Sequence, residues 1–523
     1  MSRREHPPIH RIAIGGTCAF IAALALGTGA SVLLGAAAAP VPTVTGPLAV
    51  TVSLGDSSHD YPYSATVDDL KKYGYVEEEF FFEGTANRYT TPQGATGAVV
   101  DGNHPYKSRV IVRRPASAAA FNGTAIIEWN NVTPGHDLDI DWLQSHDYWM
   151  RSGYVWVGVS AQRVGVEALK IWNVRRYSSL DVTHGGTITN DDLSYDVFAQ
   201  AAQAVRAGAG SNGVGLLGGL RVQHLFATGH SQSASRLATY VNSVHPLAPT
   251  FDAVVVHGGG GRIRDDHGTL KVWKLLSETD VLSNQAAVRQ PDTASFRSWE
   301  VAGDSHVDQQ FVASSRKLSA RDGNPVAPGM TPGGARGAAP ASGGAAPSPT
   351  TGSAASGAPS ASSVQRTAAP SGAMGTTSPC DRPPYSHVPF YHVMNAAFDH
   401  LQRWVKDGTL PPSAPPIDTS SVGPPAIVVR DARGNAQGGI RLAEQVVPTG
   451  VNTGQNSGPG FCRLNGSHTD FDATTIAALY PTHAAYVGAV KDAAEKNVKA
   501  GYILGPDADA TIAAAEASTV GAR

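Results

Sequence analysis

The feature that most constrains the fold is an alternation, between residues 109 and 303, of short apolar runs with segments of helical spacing. Residues 192–208 and 233–244 repeat apolar side chains at helical spacing. Because parallel strands need long crossover connections, this alternation is typical of a mostly parallel central sheet flanked by helices. We therefore expect an α/β fold. Its candidate strands are residues 109–115, 124–130, 154–160, 224–229, 252–258, 270–277 and 296–303.

The last part of the chain is mainly helical in pattern and is predicted to form a C-terminal extension of the sheet domain. Residues 390–408 predict an amphipathic helix, and residues 475–501 predict helical structure broken at Pro481. Between them, residues 425–442 predict a hairpin that turns at Gly434-Asn435.

The stretch from Arg316 to Pro379 differs in composition from the rest of the chain. It consists largely of Pro, Gly, Ala, Ser and Thr and has almost no large apolar residue. Such a stretch cannot bury enough apolar surface to offset its ordering entropy, so we predict a disordered low-complexity insert over residues 316–379. The insert interrupts a single domain that is predicted to span residues 39–523.

The first 38 residues have the pattern of a signal peptide. Three arginines within the first eleven residues precede an apolar stretch over residues 12–35, and the small residues 36–38 follow as a cleavage site. The mature chain is then expected to begin at Ala39, to be secreted or extracytoplasmic, and to have no stable membrane insertion. The alternative is an uncleaved membrane anchor, because a stretch of about 20 apolar residues can span a bilayer.

The charge balance excludes some classes of partner. A formal net charge of -3, with 16% charged residues, leaves no broad basic surface for nucleic acid and no acidic tail. We therefore expect a small-molecule substrate and no nucleic-acid partner.

Beyond the predicted signal peptide the chain has two cysteines, Cys380 and Cys462. Outside the reducing cytosol, the first expectation is that they pair in a disulfide. Two buried free thiols are the alternative. The sequence has neither a C-x-x-C pair nor a Cys/His cluster, so a zinc site is not indicated. The function proposed below from the sequence implies no metal and no cofactor.

Residues 226–235, FATGHSQSAS, place Ser231 between Gly229 and Ser233. A G-x-S-x-small pentapeptide is weak evidence alone, because the chain is rich in glycine, alanine and serine. Here it lies between a predicted strand and a predicted helix, as a nucleophile elbow requires: a sharp turn that lifts the serine hydroxyl out of the sheet. Ser231 is therefore the candidate nucleophile.

An acid and a histidine follow Ser231 in the chain order that such a site requires. Glu278 and Asp280 lie just after one predicted strand, and His306 lies after the next. We favour Asp280 as the acid that orients the histidine, because three residues past Ser277 the chain should have cleared the strand, and Glu278 is the alternative. His306 is the candidate base.

Cleavage of an ester or amide also requires N–H donors for the oxyanion of the intermediate. The backbone N–H of Gln232, next to the candidate nucleophile, is one expected donor. The other is expected from the loop after the predicted strand 124–130, around Asn131 and Val132. An ordinary turn rich in Asn, Pro and Gly is the alternative interpretation of this loop.

Several segments between residues 73 and 504 resemble those of a known protein family. Among them are GYVEEEFFFEGTANRY, TAIIEWNNVT, GHSQSASRLATYVNSVHP, LLSETDVL, WEVAGDSHVD and NAAFDHLQRWVKDG. Together they resemble the bacterial exported α/β hydrolase domain family, whose members are mostly of unassigned substrate. The resemblance implies an α/β-hydrolase fold with Ser231 as nucleophile and His306 as base. It leaves the acid open between Asp280 and Glu278. The low-complexity insert departs from the family pattern, in which a shorter connection is expected.

The sequence therefore predicts a secreted serine hydrolase, in particular a carboxylic ester hydrolase that acts through an acyl-enzyme on Ser231. An amidase or thioesterase with the same residues stays open, because these enzymes share the chemistry. A non-catalytic binding protein on the same fold is the alternative from another class, since a fold does not fix a function.

Overall fold

The computed structural model describes residues 38–327 and 379–522. The predicted signal peptide, apart from Ala38, lies outside the described residues, as does the part of the predicted insert over residues 328–378. Within the described ranges, no helix combines the length and the hydropathy needed to cross a membrane.

A large sheet forms the centre of the described chain. The strands of the described residues are β1 (Thr43–Thr45), β2 (Tyr75–Tyr89), β3 (Val99–Pro115), β4 (Thr124–Trp129), β5 (Val155–Val159), β6 (His224–His230), β7 (Ala253–His257), β8 (Lys271–Ser277), β9 (Phe296–Val301), β10 (Thr419–Ser421), β11 (Ile427–Val428), β12 (Gly450–Thr453) and β13 (Ser467–Asp470). The first nine form the large sheet, in the order β1-β2-β3-β5-β4-β6-β7-β8-β9. The strands β10 and β11, and the strands β12 and β13, form two small antiparallel pairs. From β5 to β9 in this order all neighbours are parallel, whereas the pairs β1-β2, β2-β3 and β3-β5 are antiparallel. The predicted mostly parallel central sheet is confirmed.

Helices connect the parallel strands and form much of the C-terminal extension. In the described residues they are α1 (Ile140–Arg151), α2 (Arg163–Trp172), α3 (Val174–Tyr177), α4 (Ser194–Ala207), α5 (Gln232–Thr239), α6 (Glu278–Ser283), α7 (Gln309–Asp322), α8 (Phe390–Asp407), α9 (Ala443–Val446), α10 (Ala473–Leu479), α11 (His483–Ala500) and α12 (Gly505–Ala517). A π-helical turn, Tyr240–Val244, continues α5. The predicted helices correspond to α4, to α5 with this turn, and to α8, and the predicted break at Pro481 separates α10 from α11.

Two apolar layers enclose the parallel strands, because successive residues of a strand point to opposite faces of the sheet. Ile127 and Val157 belong to the layer that contains Phe198 of α4. Their neighbours Ile126 and Trp156 belong to the layer that contains side chains of α1 and α8. With both faces covered, the carboxyl ends of the strands are the part of the sheet where a ligand site is expected.

The antiparallel pair β2 and β3 extends further than the sequence predicts. The candidate strand 109–115 covers only the end of β3, and no candidate strand covers β2. Residues 99–105 of β3, VVDGNHP, lack the apolar alternation that indicates a strand, and all of them are exposed or half-buried. Cross-strand hydrogen bonding to β2 therefore extends this part of β3.

The predicted hairpin at residues 425–442 has the expected turn but little strand pairing between its two arms. The N–H of Gly434 donates to the carbonyl of Asp431 at 3.0 Å. The two arms are joined by a single bridge, Arg430 with Ala436, and β11 pairs instead with β10.

The predicted start of the disordered insert at Arg316 is wrong. Helix α7 continues to Asp322, and the side chains of Leu318 and Asp322 are buried. Asp322 accepts a hydrogen bond from the hydroxyl of Tyr61 at 2.9 Å. A composition rich in charged and small residues hides the end of this helix, because only Leu318 and Asp322 are buried among residues 316–322.

Cys380 and Cys462 form a disulfide, as the sequence predicts, with their Cα atoms 5.3 Å apart. The disulfide joins the segment before α8 to a 3-10 turn, Cys462–Leu464. Both segments contact the loop after β9. The N–H of Val307 donates to the carbonyl of Leu464 at 2.9 Å, and the N–H of Ser386 donates to Ser305 Oγ at 3.2 Å.

Replacing both cysteines by serine is expected to lower the free energy of unfolding by about 2–4 kcal/mol. The reason is that the disulfide links residues 82 positions apart and so restricts the unfolded chain. Urea unfolding of the oxidised wild type and the double variant measures the effect, with reduced wild type as the control that lacks the bond but keeps the sequence. Equal urea midpoints for all three samples would contradict the prediction.

Candidate active site

Ser231 lies at the carboxyl end of β6, on the turn into α5. Its φ and ψ are 62° and -112°, a conformation that few residues other than glycine adopt. The N–H of Ser231 donates to the carbonyl of His257 at 2.8 Å, which ties the turn to β7. A Cβ on Gly229 would lie 3.0 Å from the Cβ of Ser233, so glycine lets α5 approach β6 closely. The structure therefore holds Ser231 on a sharp strand-to-helix turn.

His306 contacts both Ser231 and Asp280. The distance from His306 Nε2 to Ser231 Oγ is 2.8 Å, and the distance from His306 Nδ1 to Asp280 Oδ1 is 2.7 Å. The side chains of His306 and Asp280 are each 7% exposed. The structure thus brings together the three residues singled out in the sequence, with the imidazole between the hydroxyl and the carboxylate.

Ser277, the residue before α6, holds the carboxylate of Asp280 in place. The second carboxylate oxygen of Asp280, Oδ2, accepts hydrogen bonds from the backbone N–H of Ser277 at 2.8 Å and from the hydroxyl of Ser277 at 2.7 Å. Burial acts to raise the pKa of Asp280, but the imidazole of His306 and the hydrogen bonds from Ser277 outweigh it and hold the pKa below its usual value. Asp280 is therefore a carboxylate at neutral pH and accepts from the Nδ1–H of His306.

Glu278, the alternative acid, is placed elsewhere and does not contact His306. Its carboxylate accepts from the N–H of Gly303 at 2.9 Å, from the N–H of Gly454 at 3.0 Å, and from Arg430, with which it forms an ion pair. Glu278 thus joins the loop after β9 to the C-terminal extension.

The loop after β4 is arranged differently from the prediction at Asn131. The backbone N–H of Asn131 donates to the carbonyl of Leu138 at 2.9 Å, and its side-chain amide donates to the carbonyl of His230 at 2.9 Å. Asn131 is therefore corrected from an oxyanion donor to a residue that fastens the loop to β6. In the described part of the chain, the backbone N–H groups of Gln232 and Val132 have no acceptor, so these two predicted donors stay available.

His230 and His257 form a second layer behind His306. The ring centroid of His230 lies 4.2 Å from that of His306 and 4.4 Å from that of His257. Burial lowers the pKa of His230 well below its ordinary value, and the two neighbouring imidazoles act in the same direction, so His230 packs as a neutral ring. His257 Nδ1 lies 2.6 Å from Asp141 Oδ1.

Two residues of the site were missed in the sequence. Asp141 lies 116 positions before His257, and no local pattern connects the two. Ser277 could have been found, because S-x-x-D over residues 277–280 is a capping-box pattern at a strand end, and the structure forms that capping box.

The arrangement can activate a hydroxyl. The carboxylate of Asp280 orients His306 so that Nδ1 carries the proton and Nε2 is free to accept the proton of Ser231. Two backbone N–H groups without an acceptor in the described residues are available beside it: that of Gln232, which follows Ser231, and that of Val132, in the loop that Asn131 fastens to β6. Within the described residues, no group of three or more His, Cys, Asp or Glu side chains is arranged to hold a metal ion.

Comparisons with known proteins give one match in sequence and several in structure. A family model described as "Alpha/beta hydrolase domain" matches residues 44–513. No curated protein matches the chain in sequence.

The solved structures that match the chain include esterases at low identity. The rice cell wall degrading esterase LipA from Xanthomonas oryzae is 11% identical, with a TM-score of 0.20, over 35% of this chain and 43% of that protein. Acetyl xylan esterase 1 from Thermoanaerobacterium sp. is 10% identical, with a TM-score of 0.20, over 35% of this chain and 48% of that protein. A putative acetyl xylan esterase from Bacteroides fragilis is 12% identical, with a TM-score of 0.23, over 48% of this chain and 65% of that protein. The chain thus spans less than two thirds of the length of each.

Proposed function

The chain belongs to the alpha/beta hydrolase domain family, and from this we propose that it is a serine hydrolase that cleaves carboxylic esters through an acyl-enzyme on Ser231. The observation that carries the proposal is the position of His306, within hydrogen-bond distance of Ser231 Oγ on one side and of Asp280 Oδ1 on the other. The substrate is a small molecule that bears an ester.

The first half of the reaction forms the acyl-enzyme. His306 Nε2 takes the proton of Ser231 Oγ as the oxygen attacks the ester carbonyl, and the carbonyl oxygen becomes an oxyanion. The N–H groups of Gln232 and Val132 donate to this oxyanion. The C–O bond to the alcohol then breaks, and the proton on His306 goes to the departing alcohol.

In the second half of the reaction, water takes the place of the serine as the nucleophile and releases the acyl group. His306 Nε2 takes a proton from water, and the resulting hydroxide attacks the acyl carbonyl through a second oxyanion. The bond to Ser231 Oγ breaks, the proton returns from His306 to the serine, and the carboxylic acid leaves. Asp280 stays ionised throughout and stabilises the protonated imidazole.

We also propose that the protein is exported. The signal-peptide pattern of residues 1–38 and the disulfide between Cys380 and Cys462 support this location, since disulfides persist outside the reducing cytosol. Determining the first residue of the native protein tests this proposal, and we expect that residue to be Ala39. A native protein that retains residues 1–38 would contradict signal cleavage.

Labelling with a fluorophosphonate tests the serine mechanism directly, because this probe reacts with an activated serine hydroxyl. We expect one adduct in the wild type, mapped by mass spectrometry to Ser231, and none in Ser231→Ala. The adduct is expected to form far more slowly in His306→Ala, since the base is missing.

Ser235→Ala is the matched control for the labelling. Ser235 is exposed on α5, four residues after Ser231, so its loss should leave the adduct unchanged. A folded wild type without an adduct would reject the proposal in favour of a non-catalytic binding protein, and an adduct on another serine would reject Ser231 as the nucleophile.

A further inference from the structure

A cavity of about 310 Å³ lies between α6 and the C-terminal extension. Helix α6 contributes Thr279, Leu282 and Ser283 to its lining. The lining also includes Arg382 and Arg463, which come from two segments that are distant in sequence. The cavity therefore borders the short helix whose Asp280 faces His306.

The disulfide holds the two arginine-bearing segments together. Arg382 is two residues beyond Cys380, and Arg463 is the residue after Cys462. Asn456 adds a second connection: its Oδ1 accepts from the N–H of Arg382 at 3.2 Å, and its Nδ2 donates to the carbonyl of Arg382 at 3.2 Å. The two guanidinium groups are thus carried by a backbone that is fixed by a covalent bond and by hydrogen bonds.

The ionisable residues that line the cavity are both positively charged. No Asp or Glu is among its lining residues, and within the described residues neither Arg382 nor Arg463 has a side-chain ion pair. The neighbouring Asp381 does not line the cavity, and its carboxylate accepts from Ser457. By contrast, Arg289 outside the cavity pairs with a carboxylate through two nitrogens.

We propose that this cavity binds a small molecule through an oxyanion group, either carboxylate, phosphate or sulfate. The guanidinium forks of Arg382 and Arg463 match the geometry of such a group, and both arginines are exposed, so a ligand can reach them. Gln455 is a further polar residue of the lining, and Leu282 and Pro425 are apolar residues that can contact the carbon skeleton. The site does not depend on the proposed hydrolase activity, because it uses no residue of the Ser231 site.

Isothermal titration of the purified full chain with inorganic phosphate, sulfate and acetate tests the site, at an ionic strength held constant with sodium chloride. We expect saturable binding of at least one anion to the wild type. The anion that binds best distinguishes a phosphorylated or sulfated ligand from a carboxylate ligand. Arg382→Gln and Arg463→Gln are each expected to weaken its Kd about tenfold or more, because each removes a charge-assisted contact.

Arg221→Gln is the matched control, since Arg221 is exposed and does not line the cavity. It should bind the anion as the wild type does, and thermal unfolding without anion should show that all variants are folded. Absence of saturable binding by all three anions would overturn the proposal. So would equal affinity of the two cavity variants and the wild type.

Discussion

Replacing Ser231 with alanine is expected to lower kcat for an ester substrate by about 10⁴-fold or more, with little change in KM or in stability. The hydroxyl is the only group of Ser231 that the mechanism uses, and alanine keeps the backbone of the turn. The remaining rate would come from binding and from the N–H groups of Gln232 and Val132. Steady-state hydrolysis of p-nitrophenyl esters of graded chain length measures the loss and also identifies the preferred acyl group.

A double variant that combines Ser231→Ala with His306→Ala tests whether the two side chains act together. If the two side chains act as one unit, the double variant should be no slower than Ser231→Ala alone, because the base has no proton to accept. Losses that multiply would indicate that His306 acts independently of the serine. A Ser231→Ala protein as active as the wild type on every ester would refute the assignment of the nucleophile.

The location of Ser231 could be predicted because two local patterns meet at it. A buried run of strand type ends at His230, and small residues at positions 229 and 233 allow a helix to start at close range. Each pattern acts over a few residues, so the sequence carries it in full. The positive φ of Ser231 is the structural consequence of this abrupt change of direction.

The acid could not be decided with the same certainty, since Glu278 and Asp280 follow the same strand and are both buried. What separates them is the set of partners that distant parts of the chain provide. Glu278 meets Gly303 and Gly454, whereas Asp280 meets His306. Contacts between residues so far apart in sequence leave no local signal.

The loop after β4 shows the same limit for backbone groups. The sequence indicates which loop approaches the serine, but the availability of an N–H group depends on how the loop folds on itself. In this loop the bridge between Asn131 and Leu138 occupies one N–H group and leaves that of Val132 free. The start of the insert was misplaced for a related reason, since the burial of Asp322 depends on Tyr61, which lies 261 positions earlier.

The pair Asp280→Asn and Glu278→Gln should separate catalysis from stability. In Asp280→Asn the amide cannot hold His306 in the tautomer that accepts the serine proton, so kcat is expected to fall by about 10⁴-fold while the fold persists. In Glu278→Gln an amide NH₂ group replaces one carboxylate oxygen, so the N–H of either Gly303 or Gly454 loses its acceptor. The negative charge that pairs with Arg430 is lost as well. The free energy of unfolding is then expected to fall by about 1–3 kcal/mol, with kcat per folded molecule close to that of the wild type.

Urea unfolding measures the free energy of unfolding of both variants, and steady-state hydrolysis of a p-nitrophenyl ester, divided by the concentration of folded protein, measures their kcat. The two substitutions are matched: each removes one negative charge from a carboxylate of α6, at positions only two residues apart, so a general effect of charge on the helix would appear in both. The opposite result, in which Glu278→Gln abolishes turnover and Asp280→Asn is only less stable, would transfer the role of the acid to Glu278. It would also require a rearrangement of α6, because Glu278 has no contact with His306 when Gly303, Gly454 and Arg430 hold its carboxylate.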